Sequence, residues 1–374
     1  MQKIIHICNN FISSKVHRHL CVALAGFEDV LQVVYVPVRR PSDIGVNRVS
    51  DERVEFKYAI YPRFGLRFFP FFKVLFNFLK FSYFIKASSR EANERGGLIL
   101  AHTLWSDGAI AYLSFIFFKT PYIVVLRNSD LNWFIPKLPH YRWLVRRIIA
   151  SAQSVIFVSP VYERRFLKGY PELHRAAKRT AVIPNGIDEF WLENALNIQV
   201  KRELLVLFVG RFDRNKNLTA VVKASALARE VIPGLRLLVV GGQVAEFLRL
   251  ANLREVPDWI SVQGHLDDRA GLSNLYRKAG VLLVPSFHET FGLVYLEAVS
   301  QGCPIIYTAG EGVDGLLEGA DFARSVDPMD YLAISQEVVS IIQKYPNGVS
   351  PEKLDFLRSF DWKAVAQSYL SVIK

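Results

Sequence analysis

VLLVPSFHETFGLVYLEAVSQGCPII, Val281–Ile306, is the stretch that decides the fold. It opens on a four-residue Val/Leu run. A proline stops the run, and a polar loop leads to Gly292. An apolar helical pattern follows, then a Gly-Cys-Pro turn and a second apolar run. Strand, loop, helix, turn and strand in that order make a βαβ unit, and continuous Val/Ile/Leu runs mark parallel strands buried on both faces. Similar runs recur along the chain. In the first half they predict strands over Lys3–Ile7, Leu31–Val36, Leu98–His102, Tyr122–Leu126, Ser154–Val158 and Thr180–Ile183. In the second they predict Leu204–Val209, Arg236–Val240, Ile260–Gln263, Val281–Val284 and Pro304–Tyr307. Two series imply two Rossmann-like, doubly wound α/β domains facing across a cleft. Asp188–Arg202 is polar and lacks a clear strand. It places the boundary, giving 1–190, 191–358 and a C-terminal segment 359–374.

Composition narrows the choice further. The chain has 374 residues, half of them hydrophobic, with a net charge of +11. Residues 1–200 hold 27 basic and 15 acidic side chains, a net of +12, whereas residues 201–374 hold 19 and 20. The first half is therefore the one expected to meet an anionic partner. Its Arg and Lys are dispersed and form no nucleic-acid module, so no nucleic acid is expected. Cys8, Cys21 and Cys303 are too few and too scattered for a disulfide framework, which suits a reducing, cytoplasmic compartment. Met1–Cys8 reads as a strand rather than a leader, and no uninterrupted apolar run is long enough to span a bilayer. Phe68–Ile85 comes closest. On a helix Lys73, Asn77 and Lys80 share one face, while Phe69, Phe72, Phe76, Leu79 and Tyr83 line another. Two readings stand for this helix: packing within the first domain, or lodging in an anionic membrane interface.

Ligands of open α/β sheets bind beyond the carboxyl ends of the strands. After Leu204–Val209 come Arg211 and Lys216, two cations five residues apart that suit a diphosphate. After Val281–Val284 come Glu289 and, eight residues on, Glu297. The amides of Phe291, Gly292 and Leu293 form a helix N-terminus that favours an anion. An apolar helix carrying an inward Glu297 calls for a hydroxyl-bearing ligand, because an unpaired buried carboxylate is costly.

GRFDRNKNL (Gly210–Leu218), then PSFHETFGLVYLEA with its E-x7-E pair, then SQGCPII, is similar to the retaining glycosyltransferases of family four. VIPNGID (Val182–Asp188) and SFDWKAVAQSYLSVI (Ser359–Ile373) resemble that family's domain junction and C-terminal helix. The resemblance is specific over Val182–Lys374 and weaker before it. It implies the GT-B fold, with the C-terminal helix returning toward the first domain, and no cofactor or metal. It also implies transfer from a nucleotide diphosphate sugar, such as a UDP- or GDP-sugar. Arg211 and Lys216 match the pair that holds the diphosphate. Glu289 matches the Glu near the reaction centre, Glu297 the ribose-binding Glu, and Phe291–Leu293 the backbone that meets sugar and phosphate. His102 matches a His thought to lie near the transferred sugar, though here it stands alone. Arg127, Asn128 and Asp130 are candidates for acceptor contact. Two positions depart from the pattern. The glycine-rich loop after the first strand is replaced by Asn9–Lys15, where Ser13, Ser14 and Lys15 could still meet phosphate, and Gly241-Gly242-Gln243 replaces Gly-x-Gly. Thr308–Gly315 resembles the family's variable donor-side loop.

The expectation is a retaining glycosyltransferase, peripheral on the inner face of the cytoplasmic membrane. It would extend a glycan or polyprenyl-diphosphate-linked acceptor in cell-envelope polysaccharide synthesis. A GT-B nucleotide-sugar epimerase and a non-catalytic membrane-associated binding protein are the alternatives.

Overall fold

The computed structural model describes residues 2–61, 70–89 and 97–373, with backbone alone for 70 and 85–89. The chain divides into two compact units. One comprises Met1–Val158, Tyr162–Gly186 and Trp362–Lys374; the other comprises Ser159–Val161 and Ile187–Asp361.

The first unit is built on a seven-stranded sheet. Its strands are β1 (Gln2–Ile7), β2 (Val30–Val38), β3 (Val54–Ile60), β4 (Leu98–Ala101), β5 (Tyr122–Leu126), β6 (Ser154–Phe157) and β7 (Thr180–Val182). Their order is β3-β2-β1-β4-β5-β6-β7, and every pairing is parallel. β3 is absent from the sequence-based expectation. Its sequence VEFKYAI alternates and carries Glu55 and Lys57, as a half-exposed edge strand does. The closing helix Trp362–Ile373 belongs to this unit. Gly186 packs flat on the Trp362 indole, where a Cβ would come within 2.6 Å of the ring.

The second unit carries six parallel strands: β8 (Leu205–Val209), β9 (Arg236–Val240), β10 (Ile260–Gln263), β11 (Val281–Val284), β12 (Ile305–Thr308) and β13 (Ala323–Val326). Their order is β10-β9-β8-β11-β12-β13. β13, sequence ARSV, is too short and polar to be seen in advance. In each sheet the order reverses at one place: between β1 and β4 in the first, and between β8 and β11 in the second. Crevices for ligands open at such switch points, beyond the carboxyl ends of the strands.

The aromatic helix is Pro70–Ser89, with Pro70 in its first turn; Phe68 and Phe69 lie outside the described residues. Its facing differs from the sequence reading. Val74, Asn77, Phe78 and Phe81 turn inward, and Asn77 is 1% exposed, its Nδ2 donating to the Lys73 carbonyl. Phe71, Phe72, Leu75, Leu79 and Tyr83 turn outward. Asn77 is thus not part of a solvated stripe. Apolar residues surround this helix, so its periodicity could not choose the buried side. No described helix is long and apolar enough to cross a membrane.

Candidate active site

At the switch point of the second unit, the loops after β8 and β11 meet and are bonded together. Asn215 Nδ2 donates to the His288 carbonyl at 2.7 Å, while the His288 amide donates back to Asn215 Oδ1 at 3.0 Å. The Phe287 amide adds a bond to the Asn215 carbonyl. A third loop, after β12, joins them. The Glu289 amide donates to Glu311 Oε2 at 2.9 Å, and the Gly312 amide to the Glu289 carbonyl at 3.0 Å. Ser159, from the short first-half segment of this unit, donates to the Gly312 carbonyl at 2.7 Å. Each bond ties backbone to a side chain or to backbone, so the loop bearing Glu289 is fixed along its length.

Lys216 and Glu289 form the centre of this construction. Lys216 Nζ stands 2.5 Å from Glu289 Oε2, and both side chains are 16% exposed. Such shielding leaves the pair less screened than a surface ion pair. Arg211, its sequence partner, is 87% exposed and lies 3.8 Å from Asp213 Oδ2. Its guanidinium lies largely in solvent. Asp213 accepts from the Lys216 amide and so sets the short turn that delivers Lys216. One cation is shielded against a carboxylate and the other is exposed to solvent.

Helix Leu293–Ser300 begins at Gly292, whose φ of +75° only glycine adopts readily. A Cβ there would lie 2.3 Å from the Tyr295 ring. Tyr295 in turn donates to the Val284 carbonyl at 2.7 Å, locking the helix start to the end of β11. Gly292→Ala is therefore expected to cost about 1–3 kcal/mol and to lower the melting temperature measurably. An unchanged melt would contradict this account of the turn. A similar close approach occurs at Gly241, φ +133°, where a Cβ would come within 2.1 Å of the Gly210 carbonyl oxygen.

Glu297 lies in the second turn of the same helix. Tyr276 Oη donates to its Oε2 at 3.4 Å, and burial pushes the carboxyl up to about 7. Asp188 opposes its ionisation and Arg269 favours it; those two are themselves paired at 2.7 Å. Glu289 and Glu297 thus sit in different surroundings, one at a cation and one at a phenol.

In the first unit the expected residues divide into two sets. Ser13 and Lys15 are exposed and Ser14 half-buried, in a turn held by Asn47 Nδ2 donating to the Phe11 and Ile12 carbonyls. Asp130 is fully buried and accepts from the amides of Leu104, Trp105 and Arg127. Burial still raises its carboxyl to about 6. Arg127 Nε donates to the His102 carbonyl at 2.9 Å, and Asn128 accepts from Asn132. Arg127 and Asp130 therefore stitch together the loops after β4 and β5. His102 follows β4 as expected, but its ring is 1% exposed and lies among other imidazoles.

Sequence reasoning missed Asn215 and Glu311, the two side chains that bind the three loops. Their signals were present: an Asn between two charged residues in a strand-end turn, and a lone Glu among glycines.

Two family models cover most of the chain. Residues 193–348 match the model described as "Glycosyl transferases group 1", and residues 23–189 the model "Glycosyltransferase Family 4". A D-inositol 3-phosphate glycosyltransferase of Actinosynnema mirum is 31% identical over 308 residues, covering 75% of this chain and 67% of that one. A phosphatidyl-myo-inositol mannosyltransferase of Mycobacterium leprae is 28% identical over 199 residues, 51% of this chain and 52% of that protein. The chain thus spans about half the length, or less, of the first curated relatives it matches. Among solved structures, an Anabaena protein in complex with UDP and glucose superposes with a TM-score of 0.68 at 15% identity, covering 99% of each chain.

Proposed function

Because the chain belongs to the glycosyltransferases of family 4 and has their GT-B fold, we propose that it moves a sugar from a nucleotide diphosphate sugar to a glycan or lipid-linked glycan, with retention and without a catalytic metal. The observation that carries this reading is the Lys216–Glu289 pair at the β8/β11 switch point, beside the N-terminus of helix Leu293–Ser300. A diphosphate placed there meets the shielded Lys216, the exposed Arg211 and the amides of Phe291, Gly292 and Leu293. When the anomeric carbon–oxygen bond breaks, charge develops on the departing diphosphate, and these preorganised groups stabilise it. The diphosphate competes with Glu289 for Lys216. Binding the donor then hands the ammonium to phosphate and frees the carboxylate for the sugar. Glu297, beside Tyr276, accepts from the ribose hydroxyls. The bound UDP and glucose of the Anabaena neighbour support a nucleotide sugar as donor. The reading gives no direct sugar contact to the buried His102 ring and does not depend on one.

The acceptor assignment rests on the first unit. Its sequence half holds the +12 charge, and its helix Pro70–Ser89 presents Phe72, Leu79 and Tyr83 at 57%, 58% and 79% exposure. Lys80 lies on that helix, over the Phe76 ring, and Lys73 over the Tyr61 ring. Exposed aromatics beside lysines suit an anionic membrane surface. The phosphatidyl-myo-inositol mannosyltransferase among the relatives supports a lipid-borne acceptor. Replacing Phe72, Leu79 and Tyr83 with Ser is expected to cut co-sedimentation with anionic vesicles several-fold, and Lys80→Glu to cut it most at low salt. Unchanged sedimentation would remove the membrane from this reading.

A panel of UDP-, GDP- and ADP-sugars screened by thermal shift tests the donor assignment, since a ligand at one hundred times its Kd adds about 2.7 kcal/mol of stability. One nucleotide series should raise the melting temperature. No shift with any of them would favour a non-catalytic protein.

A further inference from the structure

The first unit has its own switch point, between β1 and β4, and three metal-ligating side chains converge on it. Cys8 directly follows β1, His102 directly follows β4, and His17 lies in the first turn of helix Lys15–Ala25. One donor atom from each lies within 4.8 Å of the others. Their residues are 0%, 1% and 2% exposed, respectively. The His17 and His102 rings meet edge to face at 4.7 Å, and His17 Nδ1 and His102 Nδ1 have no hydrogen-bond partner. Buried imidazole nitrogens left unpaired are costly, and a chain that assembles two of them beside a thiol needs something to fill the gap.

We propose that Cys8, His17 and His102 form a binding site for a Zn²⁺-type transition-metal cation that fastens the ends of β1 and β4 to helix Lys15–Ala25. The donor set selects the metal class. One thiolate and two imidazoles suit zinc and its borderline-soft neighbours, whereas Mg²⁺ and Ca²⁺ take oxygen ligands. The Cys8 thiol gives up its proton to solvent as the sulfur–metal bond forms, and the cation sheds water in exchange. His6 stands behind the site. Its Nδ1 lies 3.0 Å from His102 Nε2, so it sets the ring orientation of His102 and leaves Nδ1 as the coordinating atom. Arg127 borders the cluster, its Nε donating to the His102 carbonyl. Three protein donors leave one coordination position for water. The site lies wholly within the first unit and stands independently of the sugar-transfer reading.

The test uses the full chain without an affinity tag, stripped with chelator and titrated with Zn²⁺ and with Co²⁺ as a spectroscopic probe. One equivalent of each should bind. The cobalt form should show a thiolate-to-metal charge-transfer band in the near ultraviolet, and Zn²⁺ should raise the melting temperature. Cys8→Ser should abolish the charge-transfer band, His17→Gln should weaken Zn²⁺ at least about 100-fold, and His6→Gln should weaken it about 10–100-fold with the band retained. Circular dichroism checks that each variant folds; should Cys8→Ser not fold, the band in wild type and the loss in His17→Gln decide. Absence of stoichiometric binding, a cobalt spectrum without the thiolate band, or Zn²⁺ affinity unchanged in His17→Gln would overturn the proposal.

Discussion

Glu289→Gln is expected to lower the rate of sugar transfer by about 10²–10³-fold while the chain still folds. The carboxylate is 16% exposed, bonded to Lys216 and fixed by a loop whose backbone is tied to Asn215, Glu311 and Gly312. The amide keeps the shape and removes the charge. Lys216 then loses its partner in a partly shielded place, at a cost of about 1–2 kcal/mol. Affinity for the nucleoside diphosphate alone should hold or rise several-fold, because the freed ammonium no longer has a carboxylate competing with phosphate. The signature is a collapsed kcat with diphosphate binding intact. Near-wild-type turnover would remove Glu289 from the reaction centre. A parallel loss of diphosphate binding would contradict the handover of Lys216.

Glu297→Gln is expected to act in two directions at once. Burial raises this carboxyl from 4.5 to about 7. The unfolded chain releases the proton as pH rises past 4.5, whereas the folded chain holds it until about 7. Wild type therefore loses stability across that window, and the loss is complete above it, on the order of 1–3 kcal/mol. Glutamine removes the penalty. The melting temperature of the variant should match wild type near pH 4 and exceed it at pH 8. Donor binding should move the other way. A charged acceptor facing hydroxyls contributes about 1.5–3 kcal/mol, so affinity should fall about 10–100-fold at pH 8. Wild-type affinity should itself strengthen as pH rises through 7. A variant that is stabilised yet binds the donor as tightly as wild type would show that Glu297 does not meet the ribose.

Much of this site was legible before any coordinates. The βαβ reading of Val281–Ile306 holds to within a residue of each strand, because a proline, two glycines and continuous apolar runs mark the boundaries chemically. β3 and β13 were not legible. One alternates on an edge and the other is four mostly polar residues, so neither gives the continuous run that marks a central strand. The order of strands, which puts β8 beside β11 and thus Lys216 beside Glu289, follows from pairing across 75 residues and is invisible to any local pattern. Nor could periodicity orient helix Pro70–Ser89. Its inward Asn77 donates from Nδ2 within its own helix and accepts from Tyr35 Oη at its backbone carbonyl, a tertiary contact no spacing encodes. The Cys8, His17 and His102 cluster escaped for the same reason: its members are nine residues apart at the closest and 94 at the farthest. Only the sheet order brings them together.

The central claim is that Lys216 and Arg211 hold the diphosphate of a nucleotide sugar. Calorimetric titration of the donor found in the thermal-shift panel, into wild type, Lys216→Ala and Arg211→Ala, tests it most directly. The account predicts a loss of at least about tenfold in affinity, roughly 1.4 kcal/mol, for Lys216→Ala, and a smaller, more salt-dependent loss for the exposed Arg211. Equal affinity in all three proteins would contradict it.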